Sequence, residues 1–406
     1  MPSASRPSRP GMRDVLGRPH VAAMLTSTLV GRLPTAMAPI ALLLAVRAEG
    51  GSVLVGGILS ALFALSAAIG QPLLGRLVDR TRLAPVAAVS AVLSGAAFGA
   101  LAFLGCTAHP LAGAALTVLA GAMTPPLEAG LRALWPRLVP DPRKQHTAFT
   151  LDSVSQEITF IAGPLLATVL CQLVSPTAAL AACAVVGTAG SLAVATRTPA
   201  RWAPTARHAV HWLGPLRSHS LLLLLAAMLC MGTSLGAFHV MALAVGSANG
   251  IGWLSGLMSA AQATGSLIGG LLYARAPLSL PLPKQLLWAA GGYALCFTPL
   301  LLTAPPLLSV LFSICAGLFV APLLAITFML SDRLAPAGTA AEAAAWVVAI
   351  IGVGQALGAS LTGRLAADGT TAAAAVPVLA AVLTAAVPLL RTTLLAPATT
   401  PSERTV

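Results

Sequence analysis

The sequence predicts an all-α membrane protein, with twelve transmembrane helices arranged as two pseudo-symmetric six-helix bundles. Three observations lead there. Of 406 residues, 57% are hydrophobic and only 8% are charged, with a mean hydropathy of +0.89. A water-soluble domain carries roughly a quarter of its residues as Asp, Glu, Lys or Arg. Long apolar runs recur along the whole chain, each of the length that an α-helix needs to cross the hydrocarbon core. Finally, the first half of these runs echoes the second.

Taken in order, residues 1–19 (four arginines, no apolar stretch) are expected to form a cytoplasmic tail, with no cleavable signal peptide. Six spans follow at 20–46, 52–74, 84–106, 110–135, 147–171 and 175–196, and together they form a bundle over 20–196. A polar linker occupies 197–220. The second bundle, 221–391, holds spans at 221–246, 251–274, 285–303, 305–331, 338–366 and 371–391, and residues 392–406 form a second tail.

The basic residues support this arrangement. All but four of the 23 Lys and Arg residues fall in the tails, the linker and the even-numbered loops, on one face of the membrane. The exceptions are Arg32 and Arg132 within spans, and Arg47 and Arg364 at the opposite face. The positive-inside rule then places both termini in the cytoplasm of a multi-pass plasma-membrane protein. Topology and anionic lipid account for the net charge of +12 without nucleic acid. The six cysteines are scattered singly and have no metal-like spacing, and nothing suggests a cofactor.

The internal repeat has two parts. At an offset of 199, Gly57, Ser60, Ala61, Ala64, Ile69, Gly70, Leu73 and Arg76 match Gly256, Ser259, Ala260, Ala263, Ile268, Gly269, Leu272 and Arg275. At an offset of 196, Pro126, Leu127, Ala129, Leu134, Arg137, Leu138 and Pro140 match Pro322, Leu323, Ala325, Leu330, Arg333, Leu334 and Pro336. Both halves share one orientation, as parallel repeats do.

Six plus six helices joined by a basic linker resembles the major facilitator superfamily. Gly75-Arg76-Leu77-Val78-Asp79-Arg80, after span 2, is similar to that superfamily's G-x-L-a-D-r signature, although Thr81-Arg82-Leu83 replaces the usual Gly and basic pair. Gly163-Pro164 in span 5 resembles the Gly-Pro motif of drug:proton antiporters, without its further glycines. The resemblance implies a gating role for Gly75, Asp79, Arg80, Gly163 and Pro164, with Asp79 anchoring a cytoplasmic gate between the lobes. It also implies a monomer and a cavity lined by helices 1, 4, 7 and 10.

The ionisable residues inside the spans are the other candidates, because charge at membrane depth is costly and rare. Arg32 lies near the midplane, followed by Pro34 and Pro39, which should kink its helix. It either faces a substrate path or locks span 1 to a neighbour. Glu157 is the second midplane charge, and either pairs with Arg32 or exchanges a proton as the coupling acid. Asp152, one helical face away, is expected to bond to span 4 or 11, and shares its face with Gln156. Glu128 and Arg132, four apart, either neutralise one another or present Arg132 to an anionic group. In the second half Glu342 and Trp346 are one turn apart, while Phe238, Met241, Trp253, Phe319 and Phe328 are candidates for an apolar wall and His239 for an interior histidine.

The sequence contains no phosphate-binding loop or HExxH motif, and its loops are short, so a transporter is expected rather than an enzyme. The leading expectation is a secondary exporter that works by alternating access and exchanges protons for a small amphipathic organic molecule across the lipid bilayer. Proton-coupled uptake of a sugar or organic anion, and a transport-inactive scaffold or receptor, remain as alternatives.

Overall fold

The computed structural model describes residues 12–203, 214–251, 253–276, 280–302, 305–336, 338–365 and 369–390. The outer parts of both tails and the middle of the linker, with Arg207, His208 and His211, lie outside the described residues. The described residues are helical throughout, joined by short turns.

A short α1 (Met12–Leu16) precedes α2 (Val21–Ala48), α3 (Val53–Arg80) and α4 (Leu83–Leu104). Then come α5 (Pro110–Ala122), α6 (Leu127–Leu138), α7 (Pro142–Leu173) and α8 (Pro176–Thr196). The second half has α9 (His219–Ala248), α10 (Leu254–Arg275), α11 (Leu282–Phe297), α12 (Pro306–Gly317), α13 (Val320–Leu334), α14 (Ala340–Leu365) and α15 (Thr370–Leu390). Counting Pro110–Leu138 and Pro306–Leu334 as single spans, ten helices are long and apolar enough to cross a membrane. The expected spans over α10 and α11 fall short for two reasons. Gly, Ser, Thr and Gln dilute α10, and α11 stops after 16 residues at a 3₁₀ turn, Thr298–Leu301.

The structure refines several boundaries. The span expected at 110–135 is broken between α5 and α6, where Pro125 and Pro126 interrupt the helical hydrogen bonds. Gln71 of α3 donates to the Thr124 carbonyl at this break, at 2.8 Å. The repeat-related span is broken in the same place, between α12 and α13. Gly70 packs on the first break and Gly269 on the second; a Cβ on either would collide with a carbonyl oxygen, of Ala122 and of Leu318 respectively. The repeat visible in the sequence is thus a repeat of close helix contacts, of the kind that small residues permit in membranes. The prolines at 34 and 39, by contrast, lie inside an uninterrupted α2.

Two loops are shorter than expected. Gly75–Arg80 forms the end of α3, where Thr81 closes the helix by donating its hydroxyl to the Leu77 carbonyl. Residues 142–146 belong to α7, because Pro142 suits a first helical turn. At the opposite end of the molecule, Glu49 ties two loops together. Its carboxylate accepts the Cys106 and Thr107 backbone N–H groups at 2.8 and 2.7 Å, and the Thr107 hydroxyl at 2.7 Å. Partial burial raises this carboxyl's pKa, but the three hydrogen bonds outweigh that and hold it below the ordinary value.

Burial divides the long helices into two parts. On α7, residues Thr147–Val154 are buried except Leu151, but beyond Glu157 the helix exposes several faces, with Ile158, Phe160 and Ile161 at 43, 48 and 40%. Similarly, α14 is buried over Ala341–Ala345 and exposed at Gly352, Val353, Ala356 and Leu357. Residues 320–331 of α13 are all buried. One hydrophobic core draws on both halves of the chain, whereas a second contains only residues of the first half.

Candidate functional site

Four charges meet inside the first half. Arg32 of α2 places Nη2 2.5 Å from Glu128 Oε2 of α6 and Nη1 3.8 Å from Asp152 Oδ1 of α7. Arg132 donates Nε to Asp152 Oδ2 at 2.5 Å and Nη2 to Gln156 Oε1 at 3.0 Å, and its Nη1 contacts Glu128 Oε1. Three helices are joined through two guanidinium groups and two carboxylates. The cluster is neutral overall, and each charge is compensated locally, as deep burial requires.

The expected pairing of Glu128 with Arg132 therefore exists, as does the bond from Asp152 to span 4. Both arginines are committed to carboxylates, so neither is available to an anionic group without breaking a buried pair. Glu157 does not pair with Arg32. Its carboxyl sits beside the Ser266 hydroxyl of α10 and within electrostatic reach of Tyr293 of α11. Among the described residues it makes no ion pair.

The network touches the second half through Arg132. The Arg132 guanidinium carbon stands 3.1 Å above the centre of the Phe328 ring of α13, a cation–π contact. Residue 328 is the repeat counterpart of residue 132. Equivalent positions of α6 and α13 therefore meet face to face, one charged and one aromatic. The offset between the halves contains this signal, but sequence alone does not show that repeat-related residues touch.

A second junction involves the signature residues. Asp79 accepts the backbone N–H groups of Ala341 and Glu342 at 3.0 and 2.7 Å, capping α14 with a negative charge where the helix dipole is positive. Arg76 Nε lies 3.2 Å from Glu342 Oε2, with Trp346 adjacent and Arg80 exposed nearby. Gly75 lets α3 approach closely, since a Cβ there would come within 2.9 Å of the Ala341 carbonyl oxygen. Two further contacts join α7 to α10: the Thr147 hydroxyl to the Ala274 carbonyl at 3.5 Å, and the His146 and Tyr273 rings at 4.0 Å. These junctions all cluster at the end where the basic loops lie.

Other candidates lie elsewhere. Gly163, next to Pro164, packs on Ala36 of α2, within the first half. The expected apolar wall does not assemble. Phe238 packs edge-on to Phe297 inside the second half, Trp253 is exposed, and Phe328 is taken up by Arg132. Met241 helps to line a cavity of about 380 Å³ between α9, α12 and α15. His239 bonds through Nδ1 to the Leu235 carbonyl one turn earlier, so this ring nitrogen is satisfied within α9.

Comparison with known proteins agrees with this architecture. The family model for the Major Facilitator Superfamily matches residues 24–359. No curated protein matches the sequence. Among solved structures, a bacterial homologue of the iron transporter ferroportin, in an outward-facing state, superposes with a TM-score of 0.71 at 15% identity, covering 92% of this chain and 99% of that one. The fucose:proton symporter of E. coli superposes with a TM-score of 0.69 at 14% identity, covering 91% of this chain and 98% of that one. At such identities the likeness concerns the fold. Together with the match along most of its length, it shows that the chain belongs to the major facilitator superfamily.

Proposed function

We propose that this protein is a secondary transporter of the plasma membrane that works by alternating access and exports a small amphipathic organic molecule in exchange for protons. The reading takes the chain as a monomer of twelve spans in two six-helix lobes, with α10 and α11 counted among the spans and both termini in the cytoplasm. The observation that carries it is the division of burial along α7 and α14. Both are enclosed near the basic loops and open beyond their midpoints. A carrier caught with one end shut has this profile, whereas a scaffold has no need of it.

In this reading the Asp79–α14 cap and the Arg76–Glu342 pair hold the cytoplasmic end shut, and Gly75 permits their approach. The Arg32–Glu128–Arg132–Asp152 network forms the floor of the open side, and Arg132 on Phe328 is the part that separates when the lobes rock. Gln156 completes the Arg132 shell, and Asp152 holds both arginines. Glu157 is the coupling acid because it lies at the boundary between closed and open regions without a cationic partner. The neutral network disfavours uptake of an organic anion, since no arginine is free to receive one.

The test is flux in inverted vesicles under an imposed pH gradient, with a panel of amphipathic dyes, for wild type and Glu157→Gln. Proton-linked dye movement that Glu157→Gln abolishes supports the reading. Wild-type movement that Glu157→Gln leaves unchanged removes the coupling role, and no proton-linked movement in the wild type favours the scaffold.

A further inference from the structure

A histidine lies in the seam between α7 and α10 at the basic-loop end. His146, in the first turns of α7, stacks its ring on Tyr273 of α10, with centroids 4.0 Å apart and planes tilted by 46°. Neighbouring contacts follow the same two helix faces. The Thr147 hydroxyl reaches the Ala274 carbonyl at 3.5 Å, and Gly270 packs on Thr150 and Val154. Because α7 belongs to the first half and α10 to the second, the stack persists only while the halves meet here.

The seam suits this ring only while it is neutral. His146 Nε2 is buried and has no hydrogen-bond partner among the described residues, which calls for an explanation. The Tyr273 hydroxyl is engaged elsewhere: it donates to Gln285 Oε1 at 2.7 Å, and the Gln285 amide donates to the Leu280 carbonyl at 2.6 Å. The ionisable groups at this end, on the helices packed against α7, are Asp14 of α1, His20 capping α2, Arg137 of α6, Arg275 of α10, and Asp332 and Arg333 of α13. α8 carries no charged residue, and α7 itself adds Asp141 and Lys144. Among the described residues none of these pairs with the His146 ring or acts on it electrostatically. An imidazolium would therefore lose its water and gain no acceptor. The Tyr273 face attracts a cation weakly, but it leaves the buried N–H unbonded.

We propose that His146 is a proton-operated latch on the basic-loop end: neutral, it stacks on Tyr273 and keeps the end shut; protonated, it drives α7 and α10 apart. The sign follows from hydration. Once the seam parts, the ring regains water and takes up protons as an ordinary histidine does, near pH 6.5. The open state thus binds more protons than the closed one. Closure is favoured above that pH and lost as pH falls below it. Between pH 7.5 and 5.5 the weight of the open state grows about tenfold. The latch rests on the transport reading only in taking this end as one that opens, and it controls access rather than coupling at Glu157.

The experiment measures the distance between spin labels at Arg82 and Lys284, both exposed, on the full chain in lipid nanodiscs without the native cysteines, at pH 7.5 and 5.5. With His146 in place, the ratio of long-distance to short-distance populations is expected to rise about tenfold in acid. His146→Phe keeps a ring on Tyr273 but takes up no proton, and should hold the change below about twofold; His146→Gln serves the same purpose if the Phe variant fails to fold. His146→Arg, charged at both pH values, should favour the long distance at both. Asp332→Asn and Glu157→Gln should keep the acid response, and its loss in either would assign the sensor to that acid and overturn the proposal. So would a response that survives His146→Phe and His146→Gln, or no response with His146 present. Asp79→Asn at pH 7.5 separates the two readings. If it lengthens the distance while acid does not, alternating access stands and the latch falls; if neither lengthens it, both fall.

Discussion

Replacing Asp79 by Asn should loosen the closed end of the molecule by an amount that the geometry allows to be worked out. The carboxylate receives two backbone N–H bonds, at 3.0 and 2.7 Å, from the first turn of α14. Asn retains one acceptor oxygen, so one bond to a charged acceptor is lost, and such bonds contribute about 1.5–3 kcal/mol. The favourable charge at the helix N-terminus disappears as well, a further loss of roughly 0.3–1 kcal/mol. Because Asp79 is only partly buried, the lower ends apply, giving about 2 kcal/mol, or roughly 30-fold in an equilibrium. Both interactions join the first half to the second, so this amount falls on the closed state alone and shifts its population. The assay is the rate at which a membrane-impermeant maleimide labels Cys placed at Ala148, a fully buried position beside the junction, in a background without the native cysteines. Labelling from the basic-loop side should accelerate by an order of magnitude or more in Asp79→Asn. A change of less than twofold would refute the reasoning, since the cap would then hold nothing shut.

Three further predictions concern other contacts. Arg132→Met leaves Asp152 and Glu128 without one of their cations and should destabilise the protein by about 3–5 kcal/mol, seen as a fall in apparent Tm; the double variant with Asp152→Asn should recover part of it. Gly75→Val puts side-chain bulk against the Ala341 carbonyl, and should raise basic-side labelling as Asp79→Asn does while leaving the charges intact. Glu49→Gln should cost about 1 kcal/mol, measured by Tm against pH. Since the folded state holds the Glu49 carboxyl below its ordinary value of 4.5, its contribution is fully present above that value and fades as pH falls through the lowered one. The wild type and Glu49→Gln should therefore converge in acid.

Much of this fold was legible from the chain because membrane constraints leave plain marks. Apolar length, the sidedness of Arg and Lys and the repeated Gly and Pro positions each reflect a physical requirement, and Gly70 and Gly269 do occupy equivalent contacts. Helix spacing alone puts Glu128 and Arg132 within reach of one another, and the structure shows them paired. What could not be read were partnerships between helices. Arg32 was open to either Glu157 or another acid, and only the packing of α2 on α6 and α7 selects Glu128 and Asp152. Depth in the membrane does not specify the direction in which a side chain points around its helix axis, and so Phe328 was grouped with a wall rather than with Arg132. Gly75–Arg80 looked like a loop because its Gly and charges resemble loop composition, yet contact with α14 keeps it helical.

Spin-label distances across both ends of the molecule test the alternating-access account most directly. One pair of labels at Arg82 and Lys284 reports on the basic-loop end, and another at Ala108 and Asn249 on the opposite end, all four being exposed positions. The account predicts two populations at each end that change in opposite senses, with Asp79→Asn lengthening the Arg82–Lys284 distance as it shortens the Ala108–Asn249 distance. A single distance at each end, unmoved by Asp79→Asn and by pH, would contradict it.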